Sequence, residues 1–354
     1  MTTIANRPYV DELEELKAYA EKLPKTRLMA VAKITVMAVL NMRWERIMVD
    51  RQFPRNPLDE ARALIGDARQ ALKAWEAAAY IADLDRALTR PSEQMEERHH
   101  DLFQALWVSF DESDYEARID RYVHRLKIND LAGDFLQGSR IIDCGCGHGN
   151  FLQACLRQGA ASGLGIDYGQ DSVRYASAAR DRLGVPPERL EFRVESVYDI
   201  REPDGSFDIA IQNGVFHHLD DEDTAYREVH RVLRPGGWFW IYTDGSGAVS
   251  HDLWDAAVFV LRDVPAELVI ETLDFLGVET NKRYHLGDGL NAVYRHTTYE
   301  DFLERLAGYG FGNPRRLIGG FPTDFDHDVI EADPWGVEKF GSGDIRVVVQ
   351  KLEG

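Results

Sequence analysis

The residues with the clearest chemical potential lie in the segment 141–151, where an acidic residue precedes three regularly spaced glycines. Asp143 ends a short apolar run, and Gly145, Gly147 and Gly149 follow it. Glycine permits positive φ angles and lets the backbone approach a ligand closely. The N–H groups that begin a following helix can face the polar end of a bound molecule. The pattern therefore predicts a strand, a tight turn that binds a nucleotide-like ligand, and a helix.

A second carboxylate ends the next apolar run, in the sequence Gly165-Ile166-Asp167-Tyr168. We expect Asp167 to accept hydrogen bonds from the two hydroxyls of a ribose, and Tyr168 to cover one face of an adenine ring. The alternative for Asp167 is a helix N-cap or a solvated loop residue. Together the two runs predict an adenosine-containing cofactor that lies across the carboxyl ends of a parallel sheet.

The G-x-G-x-G spacing after Asp143 differs from the dinucleotide pattern G-x-G-x-x-G and resembles motif I of the class I S-adenosylmethionine-dependent methyltransferases. Two later segments strengthen this resemblance. Residues 207–219 look like the family's fourth strand and the loop after it, and residues 231–239 look like its turn into the fifth strand. The resemblance covers residues 139–244. It implies S-adenosyl-L-methionine as the cofactor and methyl transfer as the reaction.

The resemblance also implies that the cofactor contacts come from the glycine turn and from the ends of strands two, three and four. The expected cofactor-binding residues are Asp143, Gly145, Cys146, Gly147, Gly149, Asn150, Asp167, Tyr168, Ser196, Val197, Gln212 and Asn213. Ser196 departs from the family's pattern, because an acid that binds the adenine amino group usually stands at this position. We therefore expect a serine hydroxyl or a backbone carbonyl to make that contact.

Two adjacent histidines follow strand four, where the transferred methyl group is expected to point. A base within hydrogen-bond reach assists a nucleophile that starts protonated, and histidine suits neutral pH. The candidate catalytic residues are His217, His218, Tyr242, His285 and Arg295. The last two lie in a polar segment that we interpret as a substrate lid, although a solvated loop is the alternative. No metal site is expected, because adjacent histidines seldom aim at one ion.

The alternation of strand and helix patterns after Ser139 predicts an α/β fold, a Rossmann-like, seven-stranded, doubly wound sheet. We expect strands near 140–144, 162–166, 190–194, 207–211, 237–243, 314–318 and 344–350. The predicted domains are an N-terminal all-helical domain over 1–135, for a lid or for dimerisation, and a methyltransferase domain over 136–354. A cap insertion after strand five spans 245–297 and includes a helical stretch from Asp252 to Leu276. Trp107 and Tyr115 are candidate wall residues of the site.

The composition limits the partners that the chain can bind. A net charge of −19 argues against nucleic acid, because phosphate binding needs clustered Lys and Arg. The three cysteines do not form a disulfide framework, and no signal peptide is recognised, so we expect a cytoplasmic protein. The apolar segment Leu28–Met42 is too short and too polar to span a bilayer. Because that segment needs a partner surface, we predict a homodimer built through the N-terminal region.

The sequence predicts a methyltransferase that acts on a small molecule, with a role in specialised metabolism. Three alternatives stay open. The bound sulfonium cofactor could assist a reaction other than methylation, such as cyclisation, decarboxylation or another group transfer. An NAD-dependent oxidoreductase would also use an acid after strand two, although the glycine spacing argues against it. The third alternative is a non-catalytic partner subunit that kept the fold.

Overall fold

The computed structural model describes residues 7–79, 112–278, 290 and 294–353. The helices are α1 (Val10–Glu21), α2 (Arg27–Val49), α3 (Pro57–Ala79), α4 (Glu112–Ile128), α5 (Asn150–Arg157), α6 (Gln170–Arg182), α7 (Glu222–Val232), α8 (Val249–Leu261), α9 (Ala266–Phe275), α10 (Tyr299–Gly308), α11 (His327–Ala332) and α12 (Gly336–Phe340). The strands are β1 (Arg140–Cys144), β2 (Ser162–Asp167), β3 (Leu190–Val194), β4 (Phe207–Asn213), β5 (Leu233–Asp244), β6 (Phe311–Arg316) and β7 (Asp344–Lys351).

The chain divides into two compact units, a helical unit and an α/β unit. The described parts of the helical unit are residues 7–79, 246–278 and 329–341, and those of the α/β unit are residues 112–245, 294–328 and 342–353. This discontinuous division differs from the predicted boundary at residue 135. Helix α4 groups with the sheet because its apolar face, which includes Ile119 and Leu126, is buried in the core around Phe151. Helices α8 and α9 of the predicted cap group with the N-terminal helices.

The helical unit has its own apolar core, which is built around α2. Thr26 caps this helix by accepting a hydrogen bond from the Met29 N–H group. Buried side chains of α2, such as Ile34 and Met37, belong to one cluster with Leu253 and Val260 of α8. The segment that was expected to need a second subunit therefore packs largely within its own chain. The physical reason is that the insertion after β5 supplies the partner helices.

The seven strands of the α/β unit lie in the order β3-β2-β1-β4-β5-β7-β6. Strands β1 to β5 are parallel, and β7 runs antiparallel to both β5 and β6. The strand order reverses between β1 and β4, and such a reversal opens a crevice at the carboxyl ends of the strands. Asp143 on β1 pairs with Gly165 on β2 and Ile211 on β4. The register therefore brings the ends of β1, β2 and β4 to one edge, and the predicted doubly wound fold is confirmed.

Both faces of the sheet are covered by apolar side chains. On one face, Phe151 and Leu152 of α5 and Ile119 of α4 lie in the same apolar cluster as Trp240 of β5. The other face packs helices α7 and α10 through a second cluster that includes Phe239. Helix α7 begins at an N-cap, Asp221, whose side chain accepts a hydrogen bond from the Thr224 N–H group. A parallel sheet buried on two faces accounts for the near-continuous apolar runs of β1 and β4.

Two predicted elements differ from the structure. The helical stretch 252–276 is two helices, since Pro265 lacks an N–H group and disfavours helical geometry before it. Strand β6 covers Phe311–Arg316 rather than 314–318, and its pairing with β7 shifts register between Gly312 and Arg315. Asn313, with a φ of 50°, lies in that irregularity. Among the described residues, no helix is long and apolar enough to cross a membrane.

Candidate active site at the carboxyl edge of the sheet

The turn between β1 and α5 contains three glycines with positive φ angles, and each meets a different environment. Gly145, with a φ of 81°, has no room for a side chain, because a Cβ atom would lie 2.6 Å from Val215 Cγ2. Gly149, with a φ of 76°, is equally confined, since its Cβ would lie 2.3 Å from Phe192 Cζ. A Cβ on Gly147, with a φ of 49°, would meet no atom of the described residues within 4 Å. The middle glycine therefore borders open space, where a ligand can approach the backbone.

Asp167 connects the end of β2 to this turn. Its Oδ2 atom accepts a hydrogen bond of 2.9 Å from the Gly147 N–H group, and its Oδ1 atom accepts one of 2.8 Å from the Gly169 N–H group. The N–H groups of Gly145 and Cys146 both donate to the Ile166 carbonyl. The carboxylate therefore fixes the turn, and each of its oxygens keeps further acceptor capacity. The alternative from the sequence, a helix N-cap, does not hold for Asp167, because the N-cap residue of α6 is Gly169.

Burial controls the ionisation of the groups around the turn. It raises the pKa of Asp143 to about 8, and the charge of Asp167 adds to this shift. Burial also raises the pKa of the Cys146 thiol, which favours the neutral form. Burial lowers the pKa of His148 to about 4, and the nearby Arg118 guanidinium contributes. At neutral pH these three groups therefore carry little charge, and His148 is no candidate for a base near pH 7.

Helix α4 holds the turn from the other side. The Tyr115 hydroxyl donates a 3.0 Å hydrogen bond to the His148 carbonyl, and the Asn150 Nδ2 atom donates to the Tyr115 carbonyl at 3.1 Å. Further along α4, Tyr122 stacks on Phe151 with 4.4 Å between the ring centres. Tyr115, a predicted wall residue, thus binds the turn directly, and Trp107 lies outside the described residues.

The two polar residues that end β4 have separate environments. Gln212 is fully buried, and its amide donates to the Tyr242 carbonyl while it accepts from the Val215 and Phe216 N–H groups. These bonds shape the loop after β4. Asn213 donates from Nδ2 to the Tyr122 hydroxyl at 3.3 Å. Its buried Oδ1 atom accepts no hydrogen bond from the described residues, so it is a candidate acceptor for a ligand.

The remaining predicted cofactor residues lie along the same edge. Tyr168 is 65% exposed and follows Asp167 directly, so its ring is accessible to a ligand. Ser196 accepts a 3.2 Å hydrogen bond from the Tyr198 N–H group, and its own hydroxyl hydrogen can still be donated. Val197 is buried beside the core on the α7 face. The structure thus brings together the ends of β1, β2, β3 and β4, from which the predicted contacts come.

The two histidines after β4 face different neighbours. His217 is 3% exposed, and its Nδ1 atom lies 3.2 Å from the Thr243 hydroxyl. Its Nε2 atom lies 3.8 Å from Asp244 Oδ2 at the end of β5. The His218 ring packs against the Tyr294 ring at nearly a right angle, with 4.3 Å between centres. Imidazole, carboxylate and phenol groups therefore meet where β4 and β5 end.

Two further catalytic candidates are engaged in structural contacts. The Tyr242 hydroxyl donates to Asp244 Oδ1 at 3.0 Å, and burial raises its pKa well above the ordinary value. The Arg295 guanidinium donates to the carbonyls of Leu219 and Asp220, and the Arg295 N–H group donates to the His217 carbonyl. Arg295 therefore ties down the loop that carries the histidines. His285 lies outside the described residues.

A buried group of charges lies next to Tyr242. Arg346 binds Asp324, Asp326 and Asp344, and its guanidinium lies 4.6 Å from the Tyr242 ring centre. Burial raises the pKa of Asp344, although Arg346 opposes this shift. Burial also opposes ionisation of Asp324, but the positive charges of Arg346 and of α4 outweigh it and leave its pKa below the ordinary value. This cluster anchors the start of β7 beside the site.

The sequence analysis missed several residues that shape this edge. Tyr122 contacts both Phe151 and Asn213, and Thr243 contacts the His217 ring. The signal for Tyr122 was present, because Tyr115, Ile119, Tyr122 and Leu126 recur at helical spacing on α4. Thr243 has no comparable signal, since one hydroxyl within an apolar strand reveals nothing about its neighbour in space.

Comparisons with known proteins relate part of this unit to a known family. Residues 142–241 match the family model described as a methyltransferase domain, which extends from β1 into β5. A fatty-acid O-methyltransferase of Mycolicibacterium smegmatis is 30% identical over 165 residues, which are 46% of this chain and 55% of that protein. A ubiquinone biosynthesis O-methyltransferase of Bordetella avium is 29% identical over 159 residues, which are 44% of this chain and 64% of that protein. The chain thus covers just over half to nearly two thirds of these relatives' length.

A solved structure, the 1,6-didemethyltoxoflavin-N1-methyltransferase of Burkholderia thailandensis, is 18% identical with a TM-score of 0.42 and covers 77% of this chain and 97% of that one. The family match and the sheet order define the class. Residues 142–241 form a class I S-adenosylmethionine-dependent methyltransferase domain, which lies in a Rossmann-like, seven-stranded sheet. S-adenosyl-L-methionine is the cofactor of this class, and the recognition made from the motifs is confirmed.

Proposed function

We propose that this chain is a methyltransferase that transfers a methyl group from S-adenosyl-L-methionine to a small molecule. One observation carries the proposal. The Asp167 carboxylate is hydrogen-bonded to the glycine turn at Gly147, within the segment that matches the methyltransferase family. An acid after the second strand and an open glycine turn after the first are the two features that an adenosine-containing cofactor needs.

The described side chains fit such a cofactor. Asp167 keeps acceptor capacity for a ribose diol, and the exposed Tyr168 ring can cover an adenine face. The space at Gly147 admits the amino-acid end of the cofactor close to the backbone. The buried Oδ1 atom of Asn213 can accept from a donor in that region. We assign cofactor contacts to these residues and to Ser196, whereas Gln212 acts on the cofactor through the loop that it holds.

When bound, the cofactor supplies an electrophilic methyl group on a sulfonium centre. The chain's own task is then to hold the acceptor atom in line with that methyl group and to remove its proton. His217 and His218 stand on the loop after β4, which Gln212 and Arg295 fix in place through backbone hydrogen bonds. We assign the base to this pair of histidines. Tyr242 and Arg295 support the site without contacting the acceptor.

The acceptor is proposed to be a small molecule with a hydroxyl or carboxyl group. This proposal is supported by the names of the two relatives, which methylate oxygen in a fatty acid and in ubiquinone biosynthesis. The strongly acidic chain, with a net charge of −19, is unsuited to binding a nucleic-acid backbone. A role in specialised metabolism remains the expectation from the sequence.

The experiment is a labelled transfer assay with the full chain. The protein is incubated with S-adenosyl-L-methionine that carries a ¹³C-methyl group, together with a panel of medium-chain fatty acids and dihydroxybenzoates. We expect one acceptor class to gain the label while S-adenosylhomocysteine appears in equal amount. Binding of the cofactor without its consumption, while an acceptor is cyclised or decarboxylated, would instead favour the alternative of a non-methylating reaction.

The assembly and the location are also proposals. A homodimer through the helical unit is supported by Val39, Met42 and Val49, which are exposed apolar residues on one helix, α2. Most of the other apolar side chains of that helix are buried within the chain, so the dimer interface must be smaller than the sequence suggested. Light scattering at micromolar concentration should give twice the chain mass of 40.2 kDa, and the monomer mass would contradict the dimer.

A cytoplasmic location is supported by three buried cysteines that form no disulfide.

A further inference from the structure

One buried carboxylate connects α4 to β7 beside the proposed cofactor site. Asp324 is 3% exposed, and its Oδ1 atom accepts hydrogen bonds from Arg121 of α4 at 3.1 Å and from Arg125 of α4 at 2.7 Å. The same oxygen accepts a 3.1 Å bond from Arg346 of β7. We propose that Asp324 is a positioning residue, which holds α4 at the carboxyl edge of the sheet and so completes the cofactor site. This inference rests on the proposed methyltransferase function and adds a residue outside the family segment 142–241.

The loss of this carboxylate would affect α4 more than β7. The Arg125 side chain is 7% exposed, and Asp324 is its only carboxylate partner among the described residues. Arg346 also binds Asp326 and Asp344, and it therefore keeps two counter-charges. A buried cation without its partner is strongly unfavourable, because little water can solvate the charge. Without the charge of Asp324, α4 would have to shift until Arg125 reaches water.

The chain around Asp324 is itself fixed to both neighbouring elements. The side chain of Asn129, just after α4, donates to the Ile318 carbonyl at 2.8 Å and accepts from the Ile318 N–H group at 3.0 Å. The Leu317 N–H group donates to the Arg346 carbonyl of β7 at 2.8 Å. These bonds are between neutral groups and would remain without the charge of Asp324. The carboxylate therefore acts on the two arginines of α4 from a fixed place.

Helix α4 carries the Tyr122 hydroxyl to the end of β4. This hydroxyl accepts a 3.3 Å hydrogen bond from Asn213 Nδ2, and the Tyr122 ring stacks on Phe151. Within the described part of the chain, the hydroxyl proton has no acceptor and Asn213 Oδ1 has no donor. Burial raises the pKa of Tyr122, so the hydroxyl keeps its proton at neutral pH. Tyr122 lies between Arg121 and Arg125 on the helix, so a shift of these arginines moves the hydroxyl.

The Tyr122 hydroxyl and Asn213 Oδ1 offer a ligand one donor and one acceptor. The amino-acid end of the proposed cofactor has a carboxylate, which accepts hydrogen bonds, and an ammonium group, which donates them. A hydroxyl that donates to a carboxylate forms a charge-assisted bond, which is stronger than a bond between neutral groups. Asp324 touches neither the cofactor nor these two side chains, and its contribution to cofactor affinity passes through the position of α4.

The first measurement follows α4 in the absence of any ligand. Amide hydrogen exchange of the full chain is compared between the wild type and Asp324→Asn, which keeps the size of the side chain and removes its charge. The amides of α4 should exchange roughly 10-fold faster or more in the variant. The matched control is Asp326→Asn. Asp326 is 2% exposed and also binds Arg346, but it has no described contact with α4, so α4 should exchange as in the wild type.

The second measurement is isothermal titration with S-adenosylhomocysteine. Tyr122→Phe keeps the stacked ring, removes the hydroxyl and should weaken binding roughly 10-fold. Asp324→Asn should weaken it by a similar factor. Because both changes act through one hydroxyl, the double variant should also bind roughly 10-fold more weakly than the wild type. Independent effects would instead multiply to a loss of about 100-fold. Asp326→Asn should bind as the wild type does.

Two results overturn the proposal, namely unchanged exchange of α4 in Asp324→Asn and a loss near 100-fold in the double variant. Should Asp324→Asn not fold, Arg121→Gln replaces it, because the Arg121 side chain is 40% exposed and its loss leaves Arg125 paired. Arg121→Gln should weaken binding roughly 3-fold, with no added loss in Tyr122→Phe, and a multiplied loss overturns the proposal too. If the wild type binds no S-adenosylhomocysteine, the proposed function fails, whereas the exchange of α4 still decides whether Asp324 holds the helix.

Discussion

The three glycines of the turn after β1 should respond differently to the same substitution. Gly147→Ala places a methyl group in open space, so its cost to folding is that of an alanine at positive φ, about 1–2 kcal/mol. Gly149→Ala carries the same cost and also places Cβ 2.3 Å from Phe192 Cζ, which adds about 1–3 kcal/mol of overpacking. We expect Gly147→Ala to fold and Gly149→Ala to lose roughly twice as much stability or more.

Cofactor affinity should respond to the substitution at Gly147. The space beside Gly147 is where the proposed cofactor approaches the backbone, so the new methyl group should weaken its binding. An overpacking cost of about 1–3 kcal/mol corresponds to a loss of affinity of roughly 5- to 140-fold. Isothermal titration with S-adenosylhomocysteine measures the affinity, and urea unfolding measures the stability of the same samples.

Gly184→Ala is the matched control. Gly184 also has a positive φ, of 67°, and its Cβ would likewise meet no atom of the described residues within 4 Å. It lies just beyond the end of α6, away from the turn, so its substitution should cost about the same stability and none of the affinity. If Gly147→Ala binds S-adenosylhomocysteine as tightly as Gly184→Ala does, the space at Gly147 is no cofactor site and the reasoning is refuted.

Two further predictions concern the carboxylates of the site. Asp167→Ala removes the acceptor of the Gly147 and Gly169 N–H groups, so the free energy of unfolding should fall by about 1–3 kcal/mol in urea titrations. Cofactor affinity should fall roughly 10- to 100-fold. Unchanged affinity would show that Asp167 does not bind the cofactor. Burial raises the pKa of Asp143 from 3.8 to about 8 in the folded state. The contribution of this carboxyl group to the free energy of unfolding is therefore fully present below pH 3.8 and is lost as the pH rises through about 8. Asp143→Asn should therefore gain stability relative to the wild type between pH 5 and pH 8, and parallel stability curves would contradict the shift.

Much of the α/β unit was predictable because its signals are local. The apolar run before Asp143, the glycines after it and the acid at Asp167 each specify a strand end, and the structure places them where the pattern indicates. Strand β6 was displaced in the prediction because Asn313 adopts a positive φ beside Pro314, which breaks the regular alternation on which strand assignment depends.

The division into units could not be read from local patterns. The apolar circumference of α2 indicates burial, but it does not reveal which segment covers it. The covering helices α8 and α9 come from an insertion more than 200 residues later in the chain. Likewise, the sequence placed Tyr242 and Arg295 near the site but could not show that a carboxylate and backbone carbonyls occupy their polar groups.

The most direct test of the central claim is a comparison of ligands on the wild-type chain. Isothermal titration is carried out with S-adenosyl-L-methionine, S-adenosylhomocysteine and NAD⁺ under one set of conditions. The account predicts saturable binding of the first two with one site per chain, and no binding of NAD⁺. Binding of NAD⁺ in their place, or binding of none of the three, would contradict the assignment of this edge of the sheet to the methyl donor.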